Sequence, residues 1–238
     1  MASRGRLVLA LTAALLALPQ LVAAAPLPPR LAASLLGPQM IRAEILVKAN
    51  GNPDFQLNRG RIAAPWNGTS ITLQQVGGES AAIAVSANAT VTLNGKPASV
   101  LDLRRGMQVA VSLHGNQPAD VVVATRPRGP APRFPAPMVA LLLGDKLVQG
   151  EIAFRTPDGT IHDYWLVHGR IRALAGRTLS IVELTGDVKS VPIAADARIS
   201  LNGRPVSFSV LRRGMNVTTI EDGASPAPAF AVYALRKR

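Results

Sequence analysis

The chain contains no cysteine, which excludes disulfide-stapled scaffolds, cysteine-ligated zinc sites and cysteine nucleophiles. Aromatic residues are scarce as well: two Trp, two Tyr and five Phe among 238 residues. None of the common catalytic motifs that we sought is present: the sequence has no Gly-x-x-x-x-Gly-Lys-Ser/Thr, no Gly-x-Ser-x-Gly and no His-Glu-x-x-His. A wholly disordered chain is also excluded, because hydrophobic residues make up 48% of the sequence.

Residues 1–24 have the three-part pattern of a secretory signal peptide. Arg4 and Arg6 precede an apolar run over 7–18, and Val22 and Ala24 are the small residues before the predicted cleavage site. An uncleaved membrane anchor is the alternative, but a spanning helix needs roughly 20 apolar residues, and this run is shorter. We therefore predict cleavage near Ala24, a periplasmic or secreted mature protein, and no membrane span.

An internal repeat organises the rest of the chain. Two segments of the first half recur 108 residues later: Asn94-Gly95 as Asn202-Gly203, and Leu103–Met107 as Leu211–Met215. Gly60-Arg61-Ile62 recurs at an offset of 109, and Glu44-Ile45 at an offset of 107. These matches predict two copies of one unit, over 41–126 and 147–238. The segment 127–146 between them begins with five prolines in eleven residues, which predicts an extended polyproline II spacer.

Both units show the period-two hydrophobic pattern of short strands. Asn94-Gly95 and Asn202-Gly203 predict type I′ hairpin turns, because both residue types tolerate positive φ. Outside the leader, a helical period is found only over 30–36. The predicted strands are 71–73, 83–85, 91–93 and 109–113 in the first unit and 179–181, 191–193, 199–201 and 206–210 in the second. We therefore predict an all-β fold of two tandem small antiparallel β-barrels joined by a Pro-rich linker.

The order Gly-x-Ile, apolar strand, Thr-x-Val/Ile strand, Asn-Gly and Asp-Leu-x-x-Gly-Met-x-Val resembles a family of exported bacterial domains. These domains are small OB-like β-barrels, often in tandem, of unknown function. The resemblance covers 54–125 and 163–235, and the second unit departs from it at Arg198 and Val210, where the first has Thr90 and Asp102. The resemblance implies a barrel fold and export, and it carries over no catalytic residue.

Paired arginines recur in the same predicted turn of both units. Arginine presents a planar fork that suits phosphate, carboxylate and sulfate groups, and two such turns would make a two-point grip on an anionic polymer. Alternatively, the turns are solvated and their arginines pair with acidic neighbours such as Asp102. The candidate ligand-binding residues are Arg104, Arg105, Arg212 and Arg213.

Two other sets of polar residues offer chemistry. Paired carboxylates carry out acid–base hydrolysis, and Glu44/Glu151 and Asp54/Asp163 recur; we favour a structural role for them, at strand starts or beside arginines. His162, Asp163 and His168 have a spacing that strands could bring together around a metal. Because no histidine recurs between the units, we predict no metal site. The missing catalytic motifs and the structural role of the carboxylates predict no catalytic residue, and we predict no cofactor.

The sequence therefore predicts a non-enzymatic binding or scaffolding protein of the cell envelope. The formal net charge of +12 and the paired arginines support an alternative, a dedicated binder of an anionic polymer: polysaccharide, lipopolysaccharide, acidic lipid or nucleic acid. Another envelope protein is a further possible partner. Nucleic acid is not expected, because single-strand binders interleave aromatic residues with a basic groove and exported proteins rarely meet it.

Overall fold

Fourteen strands and two short α-helices form the part of the chain that the structure, a computed structural model, describes: 27–49, 51, 53–76, 78–223 and 227–236. The predicted signal peptide, 1–24, lies outside these residues. The mostly β prediction is confirmed. The helices are α1 (Pro29–Leu35) and α2 (Ala136–Leu142). The strands are β1 (Met40–Val47), β2 (Asp54–Ala64), β3 (Ser70–Gln74), β4 (Ser80–Leu93), β5 (Lys96–Ala98), β6 (Gln108–His114), β7 (Ala119–Thr125), β8 (Leu147–Arg155), β9 (Ile161–Ala175), β10 (Thr178–Glu183), β11 (Val188–Leu201), β12 (Arg204–Pro205), β13 (Asn216–Asp222) and β14 (Ala229–Leu235).

Five strands of the first half pair in a closed ring. The order around the ring is β2-β3-β4-β7-β6 and back to β2, with β4 and β7 parallel and every other neighbouring pair antiparallel. Closure leaves no free sheet edge within the ring. Its interior is filled by aliphatic side chains from all five strands, among them Ile62, Leu73, Val85, Val109 and Val122.

The second half repeats this arrangement strand for strand. Its ring runs β9-β10-β11-β14-β13 and back to β9. The counterparts of β4 and β7, which are β11 and β14, are again the parallel pair. The interior holds the corresponding residues, including Ile171, Leu179, Ile193, Val217 and Val232.

Glycine closes each ring at a point where two strands come unusually close. A Cβ on Gly60 would lie 2.6 Å from the carbonyl oxygen of Gln74, and a Cβ on Gly169 would lie 2.2 Å from that of Val182. No side chain fits there, so the repeated Gly-Arg-Ile segment is explained by the approach of β3 to β2 and of β10 to β9.

The predicted hairpin turns are confirmed by their backbone angles. Asn94 and Gly95 have φ of 52° and 76°, and Asn202 and Gly203 have 50° and 78°, as a type I′ turn requires. One predicted strand is wrong, because the residues at 208–210 form a 3₁₀ helix (Phe208–Val210) that matches Val100–Asp102 in the first half. The predicted pairs of strands 83–85 and 91–93, and 191–193 and 199–201, are single long strands, β4 and β11.

The two halves are joined by direct pairing of their equivalent first strands. β1 and β8 are antiparallel, and Glu44 lies opposite its own repeat counterpart, Glu151. On one side of this pair Ala43 faces Ile152, and on the other Ile45 faces Gly150, so the pairing has local two-fold symmetry. Because β1 also pairs with β2 and β8 with β9, one continuous sheet runs through both halves.

A third core lies between this central sheet and the two helices. α1 contributes Leu35 and α2 contributes Leu142, both less than 5% exposed, and they pack against Ile45, Ile152 and other residues of the sheet face. The helices occupy equivalent places, since Leu35-Leu36-Gly37 recurs as Leu142-Leu143-Gly144 at the same offset of 107 as the glutamates. The structural repeat therefore begins near Leu27 and Phe134, upstream of the predicted boundaries 41 and 147.

The Pro-rich segment does not hold two units apart as an extended spacer. Its second part forms α2, and its first part lies against the first ring. Gln108 Nε2 donates to the carbonyl of Gly129 at 2.9 Å, Thr125 Oγ1 donates to that of Pro130 at 2.8 Å, and Arg59 donates to that of Pro132. Phe134 is 5% exposed and belongs to the central core. Burial of its apolar residues therefore outweighs the tendency of the prolines to stay extended in solvent.

Truncating Leu142 should test whether the predicted linker is part of the core. Leu142 is fully buried, so Leu142→Ala should lower the free energy of unfolding by about 2–5 kcal/mol, which chemical denaturation would measure. Its neighbour Leu141 is 40% exposed, so Leu141→Ala is a matched control with an expected cost below about 0.5 kcal/mol. Equal, small effects of both substitutions would show that α2 is not packed as described.

Candidate functional site

The first arginine of each predicted pair binds the backbone of its own turn. Arg104 donates to the carbonyls of Leu101 and Leu103, and Arg212 donates to those of Ser209 and Leu211. These carbonyls end the 3₁₀ helices described above. Arg104 and Arg212 therefore cap a turn, which accounts for their repetition without a ligand.

The second arginine of each pair is exposed to solvent. Arg105 and Arg213 precede Gly106 and Gly214, whose φ values of 86° and 89° turn the chain into the next strand. Arg213 also borders a cavity on the second ring that is described below. All four candidate arginines are exposed, and Arg105 and Arg213 are the two that make no side-chain hydrogen bond to the described residues.

The predicted alternative of an ion pair with Asp102 is wrong. Asp102 Oδ2 accepts a hydrogen bond from Ser99 N at 2.8 Å and forms a capping box at the start of its 3₁₀ helix. Within the described part of the chain the salt bridges are His114–Asp120 and His162–Asp222, and neither involves arginine. The guanidinium groups of the turns are therefore not neutralised by described carboxylates.

The two arginine turns lie at opposite ends of the molecule. Gly106 N donates to the carbonyl of Ile62 on β2, and Gly214 N donates to that of Ile171 on β9. Three successive antiparallel pairings, β2–β1, β1–β8 and β8–β9, make β2 and β9 run in opposite directions. At 3.3 Å per residue, each turn lies about 20 Å along its strand from the point where Glu44 and Glu151 face each other. Roughly 40 Å therefore separates the two turns along the strands.

The recurring carboxylates meet where the two halves join. Opposite residues of antiparallel strands share a face, so Gln56, Glu44, Glu151 and Trp165 form one row across β2, β1, β8 and β9. This face is opposite the helices. Arg42, Glu44 and Glu151 line a shallow cavity of about 220 Å³ there.

Asp54 and Asp163 flank that row on the same face. Asp54 lies opposite Leu46, two residues from Glu44, and Asp163 lies opposite Ala153, two residues from Glu151. Burial raises the pKa of Asp54. Glu44 and Glu151 are therefore adjacent at the junction, whereas Asp54 and Asp163 lie on the outer strands at diagonally opposite ends of it. None of the four forms a salt bridge with the repeated arginines of the turns.

A further carboxylate in the row that contains Glu44 and Glu151 is buried, and the sequence did not indicate its burial. Glu221 on β13 lies opposite Trp165, is 3% exposed, and has its pKa raised to about 7 by desolvation. Nothing in its neighbourhood in the sequence sets it apart, because its burial comes from the ring closing around it.

The three candidate metal ligands, His162, Asp163 and His168, are not brought together. His162 Nδ1 is 2.8 Å from Asp222 Oδ2, and His168 Nδ1 is 2.9 Å from Thr218 Oγ1. His162 and His168 are six residues apart along β9, about 20 Å, and Asp163 points to the opposite face of that strand. Among the described residues no cluster of three potential ligands is found. Burial lowers the pKa of His168 to about 4.

A cavity of about 760 Å³ lies on the second ring and was not predicted. It is bordered by Arg170 and Arg172 of β9, by Arg213, and by Asn216 and Glu183. Arg170 belongs to the Gly-Arg-Ile repeat, which predicts a structural match between the two units and no site. The sequence did offer one signal for this cavity. Arg172, two residues after Arg170, is a basic residue at a position where the first half has Ala63.

Comparison of the chain with protein-family models, curated proteins and solved structures gives no match. In the part of the chain that the structure describes, α1 and α2 are too short to cross a membrane, and no other helix there could do so.

Removing one of the opposed glutamates should stabilise the junction. Like charges directly opposite each other weaken strand pairing, so Glu44→Gln should raise the free energy of unfolding by about 0.5 kcal/mol at low salt. The gain should shrink in high salt, which screens the repulsion. Urea denaturation at two ionic strengths would measure it. A loss of stability would show that Glu44 is held by a favourable contact, for example with Arg42.

The raised pKa of Glu221 predicts a pH dependence of stability. A carboxyl whose folded pKa is near 7 stabilises the fold below its unfolded pKa, 4.5, and this contribution is lost as pH rises through 7. Glu221→Gln should therefore change little at pH 4 and raise the free energy of unfolding by about 1–2 kcal/mol at pH 8. Denaturant titrations across this range would test it, with the exposed Glu79→Gln as control. A pH-independent difference would contradict the burial of Glu221.

Proposed function

We propose that this chain is an exported, non-enzymatic binding or scaffolding protein of the bacterial cell envelope. In this proposal it consists of two tandem OB-like units. The leader over 1–24 supports export, and each ring's five strands, with one parallel pair, support the OB assignment, because a five-stranded Greek-key barrel is the architecture of that fold.

One observation carries the proposal: β1 and β8 pair directly and place two equivalent rings in a fixed, opposed orientation. Any surface that the units share is thereby presented twice, at opposite ends of one continuous sheet. Such an arrangement favours bridging two partners, or two points of one long partner, because the second contact forms at high effective concentration. It is the geometry expected of a scaffold.

A second candidate function, binding of an anionic polymer, is favoured by the outward arginines. Arg105 and Arg213 face solvent without an ion pair to any described residue, and Arg170 and Arg172 stand near Arg213. The polymer would have to span roughly 40 Å to reach both turns, which suits a polysaccharide, lipopolysaccharide or an acidic lipid surface. Nucleic acid receives little support, because no aromatic residue borders the basic cavity of the second ring.

Two double variants with the same loss of charge should separate a binding role from a structural one. Arg105→Ala/Arg213→Ala removes the outward arginines, and Arg104→Ala/Arg212→Ala removes the turn caps. On a heparin column the first variant should elute at clearly lower salt than the wild type, because fewer anionic groups are neutralised. The second should elute nearer the wild type and should lose about 1 kcal/mol of stability per cap.

Identical elution of the two double variants would show that retention follows net charge alone and would remove the polymer-binding candidate. The non-enzymatic proposal has its own test. Turnover of an envelope polysaccharide or peptidoglycan fragment that is abolished by Asp54→Asn or Glu44→Gln would overturn it, because these side chains are the ones that paired-carboxylate hydrolysis would use.

A further inference from the structure

A cluster of aromatic side chains lies at one end of the sheet in the second half. Tyr164 on β9 is at its centre: its ring centroid is 6.0 Å from that of Phe154 on β8 and 5.5 Å from that of Phe230 on β14. The imidazole of His162 lies beside the same ring, at 5.8 Å and with 19° between the two planes. We call these four residues the aromatic patch. Each of them is partly exposed to solvent, and Phe230 is 38% exposed.

The strand pairing explains why these residues meet. Phe154 lies opposite His162 across β8 and β9, and Tyr164 lies opposite Asp222 across β9 and β13. His162 and Tyr164 are two residues apart and therefore share one face of β9. Tyr164 packs against the central core. The aromatic patch therefore lies on the helix side of the sheet, at the end where β9 begins.

The described residues of the first half form no equivalent patch. Phe55 takes the place of Tyr164, and it is only 4% exposed. The other three positions of the patch are held in the first half by Val47, Pro53 and Asp120. The same ring of strands therefore forms without these aromatic side chains. In a chain with only two Tyr and five Phe, the needs of the shared fold do not account for the patch.

Polar groups that can bind hydroxyl groups border the aromatic patch. Asp222 Oδ2 is 2.8 Å from His162 Nδ1, which leaves His162 Nε2 and Asp222 Oδ1 outside this contact. The side chains of His162 and Asp222 are 30% and 44% exposed. Burial and, to a smaller extent, the charge of Asp222 raise the pKa of Tyr164, so its hydroxyl keeps its proton and can both donate and accept. Hydrogen-bonding groups thus lie directly beside apolar rings.

This combination favours a carbohydrate as the ligand. The face of an aromatic ring is electronegative, and a sugar ring whose hydroxyl groups are equatorial presents a face of weakly positive C–H groups. Sugar hydroxyls both donate and accept, as the groups around the patch do. A quaternary ammonium ion would also bind aromatic rings, but it has no hydrogen bonds to offer Tyr164 or His162. Few polar groups among aromatic side chains are typical of ligand sites.

We propose that the aromatic patch and Asp222 form a binding site for a neutral, β-linked glycan chain with equatorial hydroxyl groups. In this proposal Tyr164 and Phe230 contact the faces of sugar rings, and Asp222 accepts hydrogen bonds from their hydroxyl groups. The site is separate from the nearer arginine turn, because Tyr164 is about 23 Å along β9 from Ile171, which binds Gly214. The inference goes beyond the proposed function and depends neither on export nor on the arginines.

Calorimetric titration of the full chain with cellohexaose and with N-acetylchitohexaose, two neutral β-linked glycans, tests the site. We expect saturable binding of at least one of them. Phe230→Ala and Asp222→Ala should each weaken it about fivefold, through the loss of one aromatic contact and of one hydrogen-bond acceptor. Phe208, a partly exposed aromatic residue outside the patch, supplies the matched control, and Phe208→Ala should leave the affinity unchanged.

Several results would overturn the site. They are the failure of both glycans to bind, equal weakening by Phe208→Ala and Phe230→Ala, and displacement of the glycan by tetramethylammonium chloride but not by sodium chloride. Loss of binding in the Arg105→Ala/Arg213→Ala variant alone would place the glycan at the arginine turns. A dimer that Phe230→Ala dissociates, in a protein that binds neither glycan, would show that the patch is covered by a second copy of the chain.

The variants must be shown to be folded before their affinities are compared. Thermal unfolding of Phe230→Ala should match that of the wild type, because Phe230 is exposed. Tyr164→Phe keeps the ring that packs on the core and removes only the hydroxyl, so it should weaken binding about threefold without loss of stability. Unchanged affinity in Tyr164→Phe, Phe230→Ala and Asp222→Ala together would place the glycan elsewhere and overturn the site.

Discussion

The antiparallel pairing of β1 with β8 is the contact on which the remaining architecture depends. Without it, each half would expose the free backbone N–H and C=O groups of its first strand, an edge that readily pairs with other chains. The pairing also creates the sheet face that α1 and α2 cover, so the central core and the placement of the Pro-rich segment follow from it. The pairing has an electrostatic cost, because its two-fold symmetry places the like charges of Glu44 and Glu151 opposite each other.

Much of the fold could be predicted because its signals are local. The Asn-Gly turns and the period-two strands depend on neighbouring residues, and the structure confirms both turns and every predicted strand except 206–210. α2 and the docking of 129–132 could not be predicted from composition. Proline content indicated an extended spacer, but burial of Phe134 and Leu142 against strands far away in the sequence decides the outcome. The β1–β8 pairing is likewise a contact between distant segments.

The sequence predicted which four arginines form the candidate site, and the structure changes the role of two of them. The repeat correctly singled out the arginine turns, yet repetition could not tell a cap from a free guanidinium, because both are repeated with the turn. Arg104 and Arg212 are explained by the carbonyls beside them, whereas Arg105 and Arg213 are not. The cavity of the second ring could not be predicted from the repeat, because one of the arginines that border it, Arg172, has no counterpart in the first half, where Ala63 stands.

The two-fold relation at Glu44 and Glu151 also describes how such a protein can originate. A single unit with a free first strand would form a symmetric homodimer through the same self-complementary edge. Joining two such units in one chain preserves the interface and frees each half from being identical to the other. Substitutions such as Arg59 against His168 can then accumulate on one side alone. A covalent duplication thus permits one half to differ from the other, a division of roles that a homodimer encoded by one sequence cannot make.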